Sequence, residues 1–264
     1  MSRRLRSLVA VAALLACGSA AFSKPANAQE SDTTGLDLVL VMDSTAGMQE
    51  WFRPTAEALD EFLKSHDRQI GHGDHQIPLR LGLLFFRDRK VVPNCDIGEL
   101  FQWEVELTED AAAVCHVLAS AEAASCDSEE PAQPVYDALS RALQDPQWHD
   151  GYFKVVLLIG DSPPHPPSDK DKNPFGLDVT DINQMSEERN VRIIALKIGD
   201  ADESEFRALA LSAQEAVRGR FKTVQRQPEA LRGALLAILN EEWQLLAMRN
   251  QAIEQGMAQP RPRR

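Results

Sequence analysis

Three short apolar runs in this chain each end on an aspartate. Residues 36–42 are closed by Asp43, residues 79–86 by Arg87 and Asp88, and residues 155–159 by Gly160 and Asp161. Runs of this length, rich in Val, Ile and Leu and bounded by polar residues, predict strands buried on both faces, because a half-wet strand would alternate. Residues 100–107 do alternate and read as an edge strand. Between these runs the apolar residues recur at helical spacing. Phe52, Ala56, Leu59, Phe62 and Leu63 predict a helix ended by Gly71 and Gly73. Further helices are expected from Thr108 to about Ala124, through Val135, Leu139 and Leu143, through Ile182 and Met185, through Phe206 and Leu209, and from Pro228 to about Gln255. Residues 191–198 and 221–224 are the remaining strands. Strands alternating with helices specify an α/β fold, a doubly wound, mostly parallel sheet covered on both faces. Such sheets bind ligands beyond the carboxyl ends of their strands, where the strand order reverses. Asp43, Asp88 and Asp161 all stand at such ends.

The first 28 residues carry a different signal. Arg3, Arg4 and Arg6 precede an apolar run, residues 8–16, too short to span a bilayer, and Ala26-Asn27-Ala28 follows as a small-residue cleavage site. The expectation is a secretory signal peptide over 1–28, a polar linker over 29–35, a domain over 36–240, and a helical extension with a basic tail over 241–264. Periplasmic or secreted localisation follows, with lipoprotein attachment at Cys17 as the lesser alternative. Removing Arg3, Arg4, Arg6 and Lys24 leaves 24 Lys and Arg against 40 Asp and Glu, a net charge of −16. That surface repels nucleic acid and anionic lipid, and tolerates divalent cations and basic partners.

The strand-end motifs carry a resemblance. Asp43-Ser44-Thr45-Ala46-Gly47 resembles the metal-ion-dependent adhesion motif, Asp-x-Ser/Thr-x-Ser, of von Willebrand factor A domains. Phe86-Arg87-Asp88, Leu158 to His165, and Val191 to Gly199 are similar to the second, fourth and fifth strand ends of that family. The resemblance implies strand order 3-2-1-4-5-6 with an antiparallel third strand, and a cation site built by Asp43, Thr45 and Asp161 with Asp88 nearby. Carboxylate and hydroxyl oxygens favour Mg²⁺, Ca²⁺ or Mn²⁺. Two departures stand out. Gly47 occupies the position of the second hydroxyl, and the family's threonine loop falls on residues 126–130, where Asp127, Ser128, Glu129 and Glu130 stand instead. The competing reading is a degenerate site whose acids pair with Arg87, Arg89 and Lys90.

The implied function is recognition of a protein partner at the strand-end face, not catalysis. Two alternatives are kept open: a hydrolase using Ser162 or a metal-activated water, and a metal-independent structural domain. The long loop 162–178 beside Asp161 is a candidate binding loop. His66, His72 and His75 read as a solvated loop on the opposite edge. In the family topology the loops holding Cys95 and Cys126 share the strand-end face, which implies a Cys95–Cys126 disulfide and leaves Cys115 free inside a helix. The export reading predicts a mature chain beginning at Gln29. Intact-mass measurement of protein recovered after secretion checks this; a mass showing a diacylated Cys17 overturns it.

Overall fold

The computed structural model describes residues 34–73, 75–88, 99–124, 132–200, 202–211 and 214–258. Six strands, β1 (Leu36–Asp43), β2 (Leu79–Phe86), β3 (Phe101–Thr108), β4 (Phe153–Gly160), β5 (Val191–Ile198) and β6 (Arg220–Val224), form one sheet in the order β3-β2-β1-β4-β5-β6. All pairings are parallel except that of β3 with β2. The helices are α1 (Gln49–His66), α2 (Ala111–Ser120), α3 (Val135–Gln144), α4 (Val179–Arg189), α5 (Ser204–Ala210) and α6 (Pro228–Glu254). Observed strand bounds lie within two residues of those expected from the apolar runs.

The continuous hydrophobicity of β1 has a simple cause. Leu36, Leu38, Leu40 and Met42 face a core shared with α1, α2 and α6, while Val39 and Val41 face a second core shared with α3, α4 and α5. Every residue of β1 is buried. The helices follow from equally local signals. α4 starts at a capping box, in which the Asp178 carboxylate accepts from the Thr180 and Asp181 amides and Asp181 reaches back to the Asp178 amide. It stops at Asn190, which adopts the left-handed conformation at φ 53°. α6 starts with Pro228 in its first turn. It runs unbroken past residue 240, burying Leu239, Trp243 and Leu246 against the α1 side of the sheet. Trp243 meets Phe62 edge to face at 5.7 Å and donates to Gln69 Oε1 at 2.7 Å.

At the amino ends of the strands, Asp37 is fully buried and paired through two hydrogen bonds with Arg80, at 2.8 and 2.6 Å. The His149 amide completes its shell at 2.7 Å. Thr34 is held by Asn250 through both its amide and its carbonyl, each at 2.9 Å, which ties the chain's entry into β1 to the last turns of α6. Cys115 sits half-buried on α2 with a free thiol, and burial pushes its pKa up to about 11. Such a thiol packs rather than reacts. The expected partners Cys95 and Cys126, the acidic loop 127–130, Arg89 and Lys90, and the whole segment 1–33 with Cys17 lie outside the described residues. Among the described residues, no helix is long and apolar enough to cross a membrane.

Two glycines test the packing in opposite directions. A Cβ on Gly219, just before β6, would lie 1.6 Å from the main-chain oxygen of Ile193, an atom that cannot yield without breaking the β5–β6 approach. On the exposed face of α6, a Cβ on Gly233 would meet nothing within 4 Å. Gly219→Ala is expected to destabilise by about 3 kcal/mol or more. Gly233→Ala should stabilise by about 0.5–1 kcal/mol, the helix-propensity difference. Urea unfolding of both variants checks this; a neutral Gly219→Ala overturns the placement of β6.

Candidate metal centre

The strand order reverses at β1, and the acids expected from sequence stand along that edge, although among the described residues no three His, Cys, Asp or Glu side chains come together closely enough to hold a metal ion. β1 delivers Asp43, the turn after β2 delivers Asp88, and β4 hands over to Asp161. Asp43 and Asp88 are buried, and the Asp161 side chain is only 14% exposed. The end of β1 is strapped to that of β2. The Ser44 amide and hydroxyl both donate to the Phe86 carbonyl, at 2.8 and 3.1 Å, and Arg87 Nε donates to the Ser44 hydroxyl at 3.2 Å. The loop leaving α2 crosses the same place, with the Ala124 amide on the Ser44 carbonyl at 2.9 Å.

Each acid meets its burial differently. Asp43 Oδ1 accepts from both the amide and the hydroxyl of Thr45, each at 2.8 Å. Its other oxygen, Oδ2, is buried without a hydrogen-bond partner among the described residues. Desolvation raises the Asp43 pKa to about 7, against the two Thr45 hydrogen bonds and with added repulsion from Asp161 and Asp88. Asp88 Oδ1 lies 3.1 Å from Nε2 of the buried His165. Asp161 accepts from the Ser162 hydroxyl at 2.7 Å on Oδ1 and from Arg226 Nη2 at 2.8 Å on Oδ2. The main-chain oxygen of Asp161 is held by the ammonium of Lys197. Lys197 is fully buried, also reaches the Ile198 carbonyl at 3.2 Å, and has its pKa lowered chiefly by desolvation.

The loop 162–178 is organised around this face. The Gln133 amide donates to the Pro163 carbonyl at 2.8 Å and the His165 amide donates to the Gln133 carbonyl at 3.0 Å. Buried Asn173 braces the loop from inside, donating to the His165 and Leu177 carbonyls and accepting from the Leu177 amide. Gly176, at φ 62°, completes the turn that leaves Phe175 76% exposed. His165, Gln133, Lys197 and Arg226 were not singled out as site residues from sequence. His165 and Lys197 fall within the strand-end motifs but at positions to which no ligand role was tied, while a Gln in a loop and an Arg after the last strand give no periodic or motif signal. Lys197 left one trace, a charge inside a run expected to be buried on both faces.

The alternative chemistries can be read against this geometry. The Ser162 hydroxyl donates to Asp161 while His165 Nε2 faces Asp88, so the two do not form a nucleophile–base pair. The loop histidines are separated in their contacts: His66 with Asn240 and Gln69, His72 with Glu109, His75 with Glu254.

Gly47 sits exposed in the 3-10 turn Ala46–Met48, and a Cβ there would meet nothing within 4 Å. For Asp43 and Thr45, the fit to a hard cation rests on one buried, unpartnered carboxylate oxygen beside a hydroxyl. Asp43 binds its proton more tightly in the folded chain than in the unfolded one. The stability this contributes is therefore full below its ordinary value of 3.8, falls as pH rises towards 7, and is gone above that. In chelator, the unfolding free energy of the wild type relative to Asp43→Asn should accordingly decline between about pH 4 and pH 7 and level off above. Urea titrations at several pH values check this; a constant difference means that Asp43 is solvated.

Comparison with known proteins adds the fold. No family model and no curated protein matches the sequence. Among solved structures, 207 chains match. One is proximal thread matrix protein 1 from the mussel byssus, described with a zinc-occupied MIDAS motif. It superposes with a TM-score of 0.56 at 13% identity over 81% of this chain, and the chain spans about half of that structure, 47%. The sheet order, its antiparallel edge and this likeness together give the chain the von Willebrand factor A-type fold.

Proposed function

We propose that this chain is a non-catalytic binding module, exported to the periplasm or secreted, that engages a protein partner at the strand-end face around a divalent cation. The observation that carries the reading is the buried Asp43 carboxylate, with one oxygen unpartnered and the other bonded to Thr45, at the place where the sheet order reverses. An unpaired buried carboxylate is costly, and a bound cation offsets that cost. Asp43 and Thr45 would hold the ion directly, with Asp88 and Asp161 supplying surrounding negative charge. Bound there, the ion would supply an electrophilic point for an oxygen ligand from the partner. Mg²⁺, Mn²⁺ or Ca²⁺ suits these hard donors, although the byssus protein's motif is described with zinc. The braced loop 162–178, with Phe175 held out in solvent, supports the protein partner, because a rigid exposed aromatic is a good anchor for an apolar pocket. The −16 balance of the chain without residues 1–28 supports a partner other than nucleic acid.

A second reading, the metal-independent scaffold, is favoured by a specific observation: His165 and Arg226 already stand against Asp88 and Asp161. Thermal unfolding with added Mg²⁺, Mn²⁺ and Ca²⁺ separates the two. A cation that binds only the folded chain stabilises it by about 2.7 kcal/mol at a hundredfold excess over Kd. The wild type should respond at millimolar metal, Asp43→Ala should not, and Gly47→Ser, which adds a hydroxyl in open space, should respond at several-fold lower concentration. A flat wild-type response assigns the face to the metal-independent reading. Turnover in an esterase or phosphatase screen that is lost on Ser162→Ala would instead establish the hydrolase.

A further inference from the structure

Arg226 follows β6, in the turn that leads to α6, and its contacts are unusually directed for a side chain that is 57% exposed. The guanidinium reaches across the end of β5 to Asp161, placing Nη2 2.8 Å from Oδ2. Gly199 makes this path available. It adopts φ 79°, its amide is held by the Val224 carbonyl at 2.8 Å, and a Cβ there would fall 2.9 Å from Arg226 Nε and 3.5 Å from Cγ. The arginine stem therefore lies on a stretch of backbone without a side chain, just after Lys197, whose ammonium holds the main-chain oxygen of the same aspartate. With the Ser162 hydroxyl on Oδ1, every oxygen of Asp161 has a partner from this chain.

We infer that Arg226 is a tethered counter-cation that competes with a divalent ion for Asp161, and so sets how tightly the strand-end site binds metal. The inference rests on the cation reading of Asp43 and Thr45 and extends it. A carboxylate keeps lone pairs beyond the two bonds seen here, so the obstacle to an incoming ion is charge more than occupancy. The guanidinium offsets the negative charge of Asp161, and at any given distance a positive charge repels a divalent ion twice as strongly as a monovalent one. Arg226 is also the exposed member of the pair, since most of its side chain is in solvent while Asp161 is largely buried. A partner carboxylate that draws Arg226 away exposes Asp161 to the ion, so metal and partner binding are coupled through a single side chain. Without metal, the same contact relieves repulsion among Asp43, Asp88 and Asp161.

Titration of the full mature chain with Mn²⁺, by calorimetry and by the paramagnetic signal of the free ion, tests this for wild type, Arg226→Gln, Arg226→Lys and Asp43→Ala. Arg226→Gln removes the charge and keeps most of the stem. It should lower the melting temperature in chelator and tighten Mn²⁺ binding about tenfold or more, and Arg226→Lys should stay close to wild type. Unchanged or weaker binding by Arg226→Gln, with a wild-type response that Asp43→Ala abolishes, overturns the competition while leaving the cation site standing. Binding by Arg226→Gln alone, with a silent wild type, supports the competition in its strongest form. Silence in both overturns the competition together with the cation reading. A Gly199→Ala variant that folds gives a second measurement: its Cβ displaces the Arg226 stem, and its Mn²⁺ affinity should move in the same direction.

Discussion

β1 is buried at all eight positions, with alternate side chains belonging to two separate cores. A strand in that position has no wet face on which to place a polar group, so it can change character only at its ends. Its amino end carries Asp37, neutralised at once by Arg80 and a backbone amide. Its carboxyl end carries Asp43, which has Thr45 on one oxygen and no partner on the other. The two aspartates stand near opposite ends of the same strand, and they differ in one respect: Asp37 has a complete shell of donors and Asp43 does not. That contrast separates a structural buried acid from one suited to a ligand, because a satisfied ion pair has nothing left to offer while an unsatisfied carboxylate does.

Around Asp43 the other acids have been answered by side chains of the chain itself. His165 faces Asp88, Arg226 faces Asp161, and Lys197 grips the Asp161 main chain. The face thus holds several negative and several positive groups within a small, largely desolvated space, where each charge is felt more strongly than on open surface. The Pro-rich loop reinforces this, since it supplies His165, and Asn173 fastens the loop from within. Loop, acids and basic partners form one connected unit at the switch point of the sheet.

Most of the architecture was legible without coordinates. The uninterrupted apolar runs of β1, β2, β4 and β5 read as two-sided strands and the alternation of β3 as an edge, while the strand order itself was implied by the family resemblance. The candidate acids were equally legible, because a charge that abruptly closes an apolar run has to sit where the strand leaves the core. Partners of those acids were not. His165 is 77 residues from Asp88, Arg226 is 65 from Asp161, and Lys197 is 36 from the Asp161 carbonyl that it holds. No spacing rule links such pairs.

The sequence by itself determined which segments are strands and helices, which acids lie at strand ends, and that one conventional hydroxyl is missing at Gly47. These are properties of local pattern: period, length and the residue at which a pattern breaks. The tertiary structure alone decided that Asp88 meets a histidine, that Asp161 meets an arginine lying across Gly199, and that Asp43 keeps one oxygen unpartnered. The physical reason is that pairing between charges depends on distance and desolvation, and both are set by how the six strands bring distant loops to one edge of the sheet.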